Sequence, residues 1–153
     1  MPNHKPPNQD FLKYWRVVRF YVKLKYELNQ EELEMLLFLY SERYFKRVDF
    51  EEYKKVMNWN EQHFKNLHSR GWIITFRNRR PSLKEGAIYQ LSHKARGVIK
   101  SIYQKLLGNE DFAVDFKNGP FTKDMTYMQR RYRDRMIKIN EEYKELRRKK
   151  EES

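Results

Sequence analysis

The chain has 153 residues, a formal net charge of +12 and no cysteine. That is one ordinary domain, long enough to bury a core without staples, and the lack of cysteine excludes disulfides and thiolate metal sites. The charge points to polyanionic partners, nucleic acid first and an anionic membrane second, while an aromatic content of 16% argues that most of the chain folds.

The opening "MPNHKPPNQD" is polar and proline-rich, so residues 1–9 are expected to form a disordered tail. It lacks an apolar signal core, and no later stretch is long and apolar enough to span a bilayer. The expectation is a soluble, cytoplasmic protein that does not engage a membrane.

A first helix is predicted over residues 10–28. Phe11, Trp15, Val18 and Val22 share one stripe, and Leu12, Tyr14, Val17, Phe20, Tyr21 and Leu24 cover much of the rest. A helix apolar around most of its circumference is buried on more than one side, and a second subunit is one candidate cover. Asn29 and Glu32 have the spacing of a capping box ahead of a helix with the stripe Leu33, Leu36, Leu37, Tyr40 and Tyr44. Asp49 with Glu52, and Asn58 with Glu61, repeat that signal before two short helices.

The second short helix is predicted over residues 59–70, with Phe64 and Leu67 inward and Asn60 and His63 flanking them. Glu61, Gln62, Lys65 and Asn66 face outward. Gly71 stands where a helix C-cap belongs. "WIITFR" and "AIYQL" read as strands, and "NRRPSLKEG" between them reads as a loop. Ser92 can cap a helix carrying Ala95, Val98, Ile99, Ile102, Tyr103 and Leu106, which Gly108 ends. Residues 109–121 read as a linker with its own apolar anchors. Residues 122–149 read as a long amphipathic helix, started by Thr122 and Asp124, for dimerisation or partner contact. Its stripe is Met125, Met128, Tyr132, Met136, Ile139, Tyr143 and Leu146. Residues 150–153 read as a tail.

The predicted fold class is mainly α with a small β-hairpin, a winged helix-turn-helix with long N- and C-terminal helices. Residues 10–108 form the winged-helix domain. In this arrangement the second short helix enters a major groove while the hairpin tip lies over the neighbouring backbone or minor groove. Gln62 and Asn66 suit adenine, Lys65 suits guanine, and Glu61 either reads bases or caps its own helix. Arg77, Arg79, Arg80 and Lys84 would meet phosphates. His93 and Lys94 are possible flanking contacts.

The stretches "LNQEELEMLLFLY", "NEQHFKNLHSRGWI" and "YQLSHKARGVI" resemble the MarR family of winged-helix regulators, over roughly residues 10–108. The resemblance implies transcriptional regulation by a homodimer that binds pseudo-palindromic duplex DNA, with the first and last helices at the dimer interface. Phe11, Trp15, Val18, Val22, Met128, Tyr132, Ile139 and Tyr143 are the dimerisation candidates. Asn78 stands where the family's wing usually carries an acid, and the stretch after it is longer than usual. The effector, if any, is left open.

Other chemistry finds little in the sequence. No glycine-rich phosphate loop, nucleophilic cysteine or metal motif is present, so no enzyme, no cofactor and no metal are expected. His63 and His68 lack further ligands at helical spacing, and Trp59 is expected to pack at the turn. Arg130, Arg131, Arg133 and Arg135 could track a phosphate backbone or form the wet side of the last helix. The competing reading is a non-catalytic assembly or adaptor protein, for example viral, whose winged-helix fold contacts another protein; RNA binding through the same cations comes third.

Overall fold

A computed structural model of the protein describes residues 10–77 and 86–152. The described chain is mainly helical, with a small antiparallel sheet. Six helices and three strands run in the order α1 (Phe11–Tyr26), α2 (Gln30–Leu39), β1 (Phe45–Lys46), α3 (Arg47–Val56), α4 (Glu61–Ser69), β2 (Ile73–Arg77), β3 (Ile88–Leu91), α5 (His93–Leu107) and α6 (Tyr127–Glu152). Among the described residues, no helix is long and apolar enough to cross a membrane.

The chain divides into two compact units. The first joins the residues through Glu27 with those from Ser101 onward; the second is Leu28–Lys100. This departs from the expected 10–108 domain, because α1 belongs with α6 and not with the helices that follow it.

The second unit is built from locally capped elements. At the start of α2 the Asn29 carboxamide accepts from Glu32 N at 2.7 Å, and Glu32 Oε1 accepts from Asn29 N at 2.9 Å, the reciprocal pair expected from the sequence. α3 starts earlier than expected. Asp49 is not its N-cap but lies three residues inside, accepting from Lys46 N at 2.8 Å, because the short strand β1 runs straight into the helix. α4 is capped by Asn60, not Asn58: Asn60 Oδ1 accepts from His63 N at 3.0 Å, and His63 Nδ1 accepts from Asn60 N at 3.3 Å.

Gly71 ends α4 with φ +79°, a backbone region that only glycine enters at little cost. Its N–H reaches His68 O, and Trp72 N reaches Leu67 O at 2.9 Å, so two otherwise orphaned carbonyls are satisfied. The sheet order is β1-β3-β2, with Phe45 opposite Tyr89 and Ile73 opposite Leu91. The register shifts between Thr75 and Arg77, a bulge that increases local twist. Leu33, Leu36, Phe50, Phe64, Leu67, Trp72 and Ile73 are buried in this unit.

The first unit is held by contacts between distant parts of the chain. Tyr14 meets Tyr143 edge-on at 5.2 Å, and its hydroxyl donates to Glu142 at 2.8 Å. Phe20 stacks on Tyr132 at 3.9 Å, and Arg16 Nε donates to the Tyr132 hydroxyl at 3.2 Å. α1 and α6 therefore run antiparallel.

Residues 109–121 are no linker. Asn140 of α6 pairs with the Phe112 backbone in both directions, accepting from its N–H at 2.8 Å and donating to its C=O at 3.0 Å. The Tyr21 hydroxyl accepts from Ala113 N at 3.3 Å, and Arg133 Nε donates to Val114 O at 2.8 Å. Phe112 and Phe121 are buried, so the segment is a packed strap. Gly119 belongs to it because a Cβ there would run into the carbonyl oxygens of Ala113 and Asp115.

α6 begins after Thr126, not at Thr122 or Asp124. Thr126 and Gln129 exchange capping hydrogen bonds, each at 3.1 Å. The helix continues to Glu152, through most of the expected tail, with Arg148 bridging Glu145 and Glu152 in support of its last turns.

Candidate functional site

The expected recognition element lies in the second unit, where α3, a turn of residues 57–60 and α4 precede the strands β2 and β3. Trp59 closes the turn. It is buried, meets Phe38 and Tyr53 edge-on and stacks over Phe50 at 6.2 Å, so its surface is spent on packing. Phe64 anchors the inner face of α4 against Phe50 at 5.1 Å and Tyr89 at 5.1 Å. With Phe64 and Leu67 buried, Gln62 and Lys65 face solvent and Asn66 is half-buried.

Glu61 does not belong with them. Its carboxylate pairs with Arg47 of α3 and lies 3.9 Å from Lys54. Arg47 in turn spreads its guanidinium over Phe64 at 4.4 Å and Phe50 at 5.1 Å. Glu61 therefore fastens α4 to α3, and reading a base edge would break that contact. Arg47 is the organising residue that sequence reasoning missed. No spacing rule links it to Glu61, 14 residues away.

Gln62 and Asn66 come together. Gln62 Nε2 donates to Asn66 Oδ1 at 2.9 Å across one helical turn. That leaves Gln62 its carbonyl oxygen and a second N–H, the acceptor–donor pair an adenine edge requires. Lys65 is exposed beside them.

His63 is half-buried and serves the α4 cap. His68 Nε2 lies 2.9 Å from Thr75 Oγ1 and ties the end of α4 to β2. Neither histidine is held with other ligands; among the described residues no group of three His, Asp or Glu could hold a metal.

Arg77 ends β2, half-buried and opposite Ile88. Arg79, Arg80 and Lys84, with Asn78, lie outside the described residues. Next to Arg77, Phe76 is exposed at the bulge and meets Tyr44 at 4.8 Å. Ser92 Oγ caps α5 by accepting from Ala95 N at 3.2 Å. His93 and Lys94 are exposed in its first turn, where Lys94 holds its ammonium 4.2 Å from the Trp72 ring centre.

The dimerisation candidates divide into two groups. Val18, Val22, Ile139 and Tyr143 are buried inside the protomer, and Tyr132 is taken up by Phe20. They are core, because the apolar stripes of α1 and α6 cover one another within one chain. The cover expected from a second subunit is supplied over this part of α1 by α6 of the same chain. Phe11 and Met128 remain exposed and Trp15 half-buried. Burial pushes the Tyr143 hydroxyl well above the ordinary tyrosine range, reinforced by Tyr14, Glu142 and Asp111.

In the first unit Lys105 is buried and pairs with Glu110, and its ammonium donates to Ser101 Oγ at 2.9 Å. Burial pulls the Lys105 ammonium down, against the pull of Glu110. Burial pushes the Glu110 carboxyl up, but hydrogen bonds from Lys105 and Ser101 outweigh it and hold the group below its ordinary range.

Set against known proteins, the chain matches no protein-family model, no curated protein and no solved structure.

Proposed function

We propose that the chain is a sequence-specific duplex-DNA-binding protein of winged-helix type, a MarR-like homodimer that regulates transcription in the cytoplasm. The observation that carries this reading is the order of parts in the second unit. Two short helices meet at a tight, aromatic-filled turn, and an antiparallel strand pair follows the second of them directly. α4 keeps Gln62, Lys65 and Asn66 on its outer side while Phe64 and Leu67 hold the inner side down. In the assignment of roles, Gln62 reads adenine with an orientation pre-set by Asn66, and Lys65 reads guanine or a phosphate. The segment joining β2 to β3 carries, by sequence, Arg79, Arg80 and Lys84, which supply phosphate contacts with Arg77, His93 and Lys94. The second copy docks through surface that α1 and α6 leave open, at Phe11 and Met128.

One observation favours the alternative, an assembly module without DNA. Ile74 and Phe76 point to the same exposed side of β2, and Tyr44 joins them, an apolar strip suited to a protein partner.

Fluorescence anisotropy against a randomised duplex pool, with sedimentation in parallel, separates the two readings. The regulator reading expects a selected duplex to bind at least a thousandfold more tightly than a scrambled one, to a two-subunit protein. If wild type binds no duplex more tightly than about 10⁻⁴ M at physiological salt, the DNA reading fails and the assembly reading replaces it.

A further inference from the structure

The first half of α6 carries Arg130, Arg131, Arg135 and Lys138, all exposed. None of the four has an acidic partner among the described residues. The second half of the helix is different: Arg147 pairs with Asp111 at 2.8 Å, and Arg148 pairs with Glu145 and Glu152. Arg131, Arg135 and Lys138, with Asp134, line a shallow recess of about 220 Å³. Arg16 of α1 comes alongside through the Tyr132 hydroxyl. Arg133, which the sequence groups with them, is occupied with Val114 O and the Phe116 ring.

Arg130 closes the first turn of α6, at the positive end of the helix dipole, and that turn contains no acid. Asp134 offsets part of this charge, and the excess is available to an anionic partner. A membrane surface is a poorer candidate: Met136, Ile139 and Tyr143 of α6 are buried, and its exposed apolar residues, Tyr127, Met128, Ile137 and Leu146, are spread around and along the helix and form no continuous face to enter the headgroup boundary.

A strand of duplex DNA fits better. From Arg131 to Lys138 the helix rises about 10 Å at 1.5 Å per residue, close to the rise of three nucleotides along one strand at roughly 3.4 Å each. We infer that Arg131, Arg135 and Lys138 form a second, sequence-indifferent phosphate-binding surface for duplex DNA. This inference rests on the duplex-DNA reading above.

The test is a salt titration of the full chain on a selected and a scrambled duplex. Three proteins are compared: wild type, Arg131→Gln/Arg135→Gln/Lys138→Gln, and Lys117→Gln/Lys123→Gln/Lys149→Gln, which removes as much charge from other exposed sites of the same unit. Glutamine is a good helix former, and far-UV circular dichroism verifies that α6 persists. The expected result is a slope of log affinity against log salt lowered by about two to three units in the first variant, at roughly 0.9 per phosphate lost. The ratio between selected and scrambled duplex stays at the wild-type value, and the control variant keeps most of the slope.

If wild type binds DNA with the same slope as the first variant, the α6 surface is refuted and the α4 reading stands. An equal fall in both variants makes the effect one of net charge and also refutes it. If wild type binds no duplex, the DNA reading itself has failed. Binding to phosphatidylserine vesicles through these residues, with no DNA binding, likewise overturns the inference.

Discussion

The two units of this chain are stabilised in opposite ways. In Leu28–Lys100 almost every element carries its own start and stop within a few residues: Asn29 with Glu32, Asn60 with His63, Gly71 after α4, Ser92 before α5. In the other unit the decisive contacts join residues far apart, Tyr14 with Glu142, Tyr21 with Ala113, Phe112 with Asn140. The contrast teaches where damage will be felt. A local unit loses one cap at a time, whereas a unit fastened by distant side chains loses several elements when one fastener goes.

The sharpest way to break the contrast is Tyr143→Ala. It empties a fully buried ring site against Tyr14, Phe112 and Gly108, and is expected to cost about 3–5 kcal/mol in urea unfolding. Hydrogen exchange followed by mass spectrometry should quicken in α1, α6 and the strap while α2 to α4 stay protected. Equal acceleration everywhere would show that the units do not differ in this way.

Asn140→Ala strips both partners from the buried Phe112 backbone and is expected to cost about 2–4 kcal/mol, since each orphaned polar group costs roughly 1–3 kcal/mol. Proteolysis is the second readout, with new cleavage expected within residues 109–121.

Glu110→Gln leaves the buried Lys105 ammonium without its counter-charge, at an expected cost of about 1–3 kcal/mol at neutral pH. The sign with pH follows from the depressed Glu110 carboxyl. Its contribution is fully present above the ordinary glutamate value, about 4.3, and fades as pH falls through the lower folded-state value. The difference between wild type and variant should therefore shrink in acid, which urea titrations at several pH values will measure.

In the local unit the effects are smaller. Asn60→Ala removes one cap and should cost about 1 kcal/mol, with exchange quickening confined to the start of α4. Gln62→Ala/Asn66→Ala touches an exposed and a half-buried side chain bonded to each other and should stay within about 0.5 kcal/mol in stability. On the DNA reading it nevertheless costs about 1–3 kcal/mol in binding at each base pair it reads in the preferred site. A large loss of stability would mean that the pair is structural.

How much of this could be seen in the sequence follows the same division. The helices around Asn29, Gly71, Ser92 and Gly108 are legible, because caps act over three to five residues. The start of α3 was displaced because Asp49 serves as well from inside the first turn as from the cap, and β1, with two residues, has no period to detect. Asn58 and Asn60 offer the same side chain two positions apart, and Asn60 is the one that caps.

The outer face of α4 was legible through its polar residues, but the capture of Glu61 by Arg47 was not, since that pair is made by the angle between two helices. Of the strap only the apolar anchors were legible, Phe112 and Phe121 among them. Its hydrogen bonds come from Tyr21, Arg133 and Asn140, side chains that read as ordinary members of other helices. The all-round apolar character of α1 was visible, but its partner was not, and a second subunit and α6 are equally good covers from sequence alone.

The pairing of α1 with α6 also fixes an order of events during synthesis. Tyr14 and Glu142 are 128 residues apart, so at bacterial or eukaryotic elongation rates of roughly 5–20 residues per second α1 waits about 6–25 s for its partner. Leu28–Lys100 leaves the ribosome in the meantime and can close on its own caps. During that interval Val18, Tyr21 and Val22 lack the cover that α6 and the strap supply, and the nascent chain presents a sticky helix. Expression should therefore depend on holdase capacity and translation speed in a way that the stability of the finished protein would not reveal.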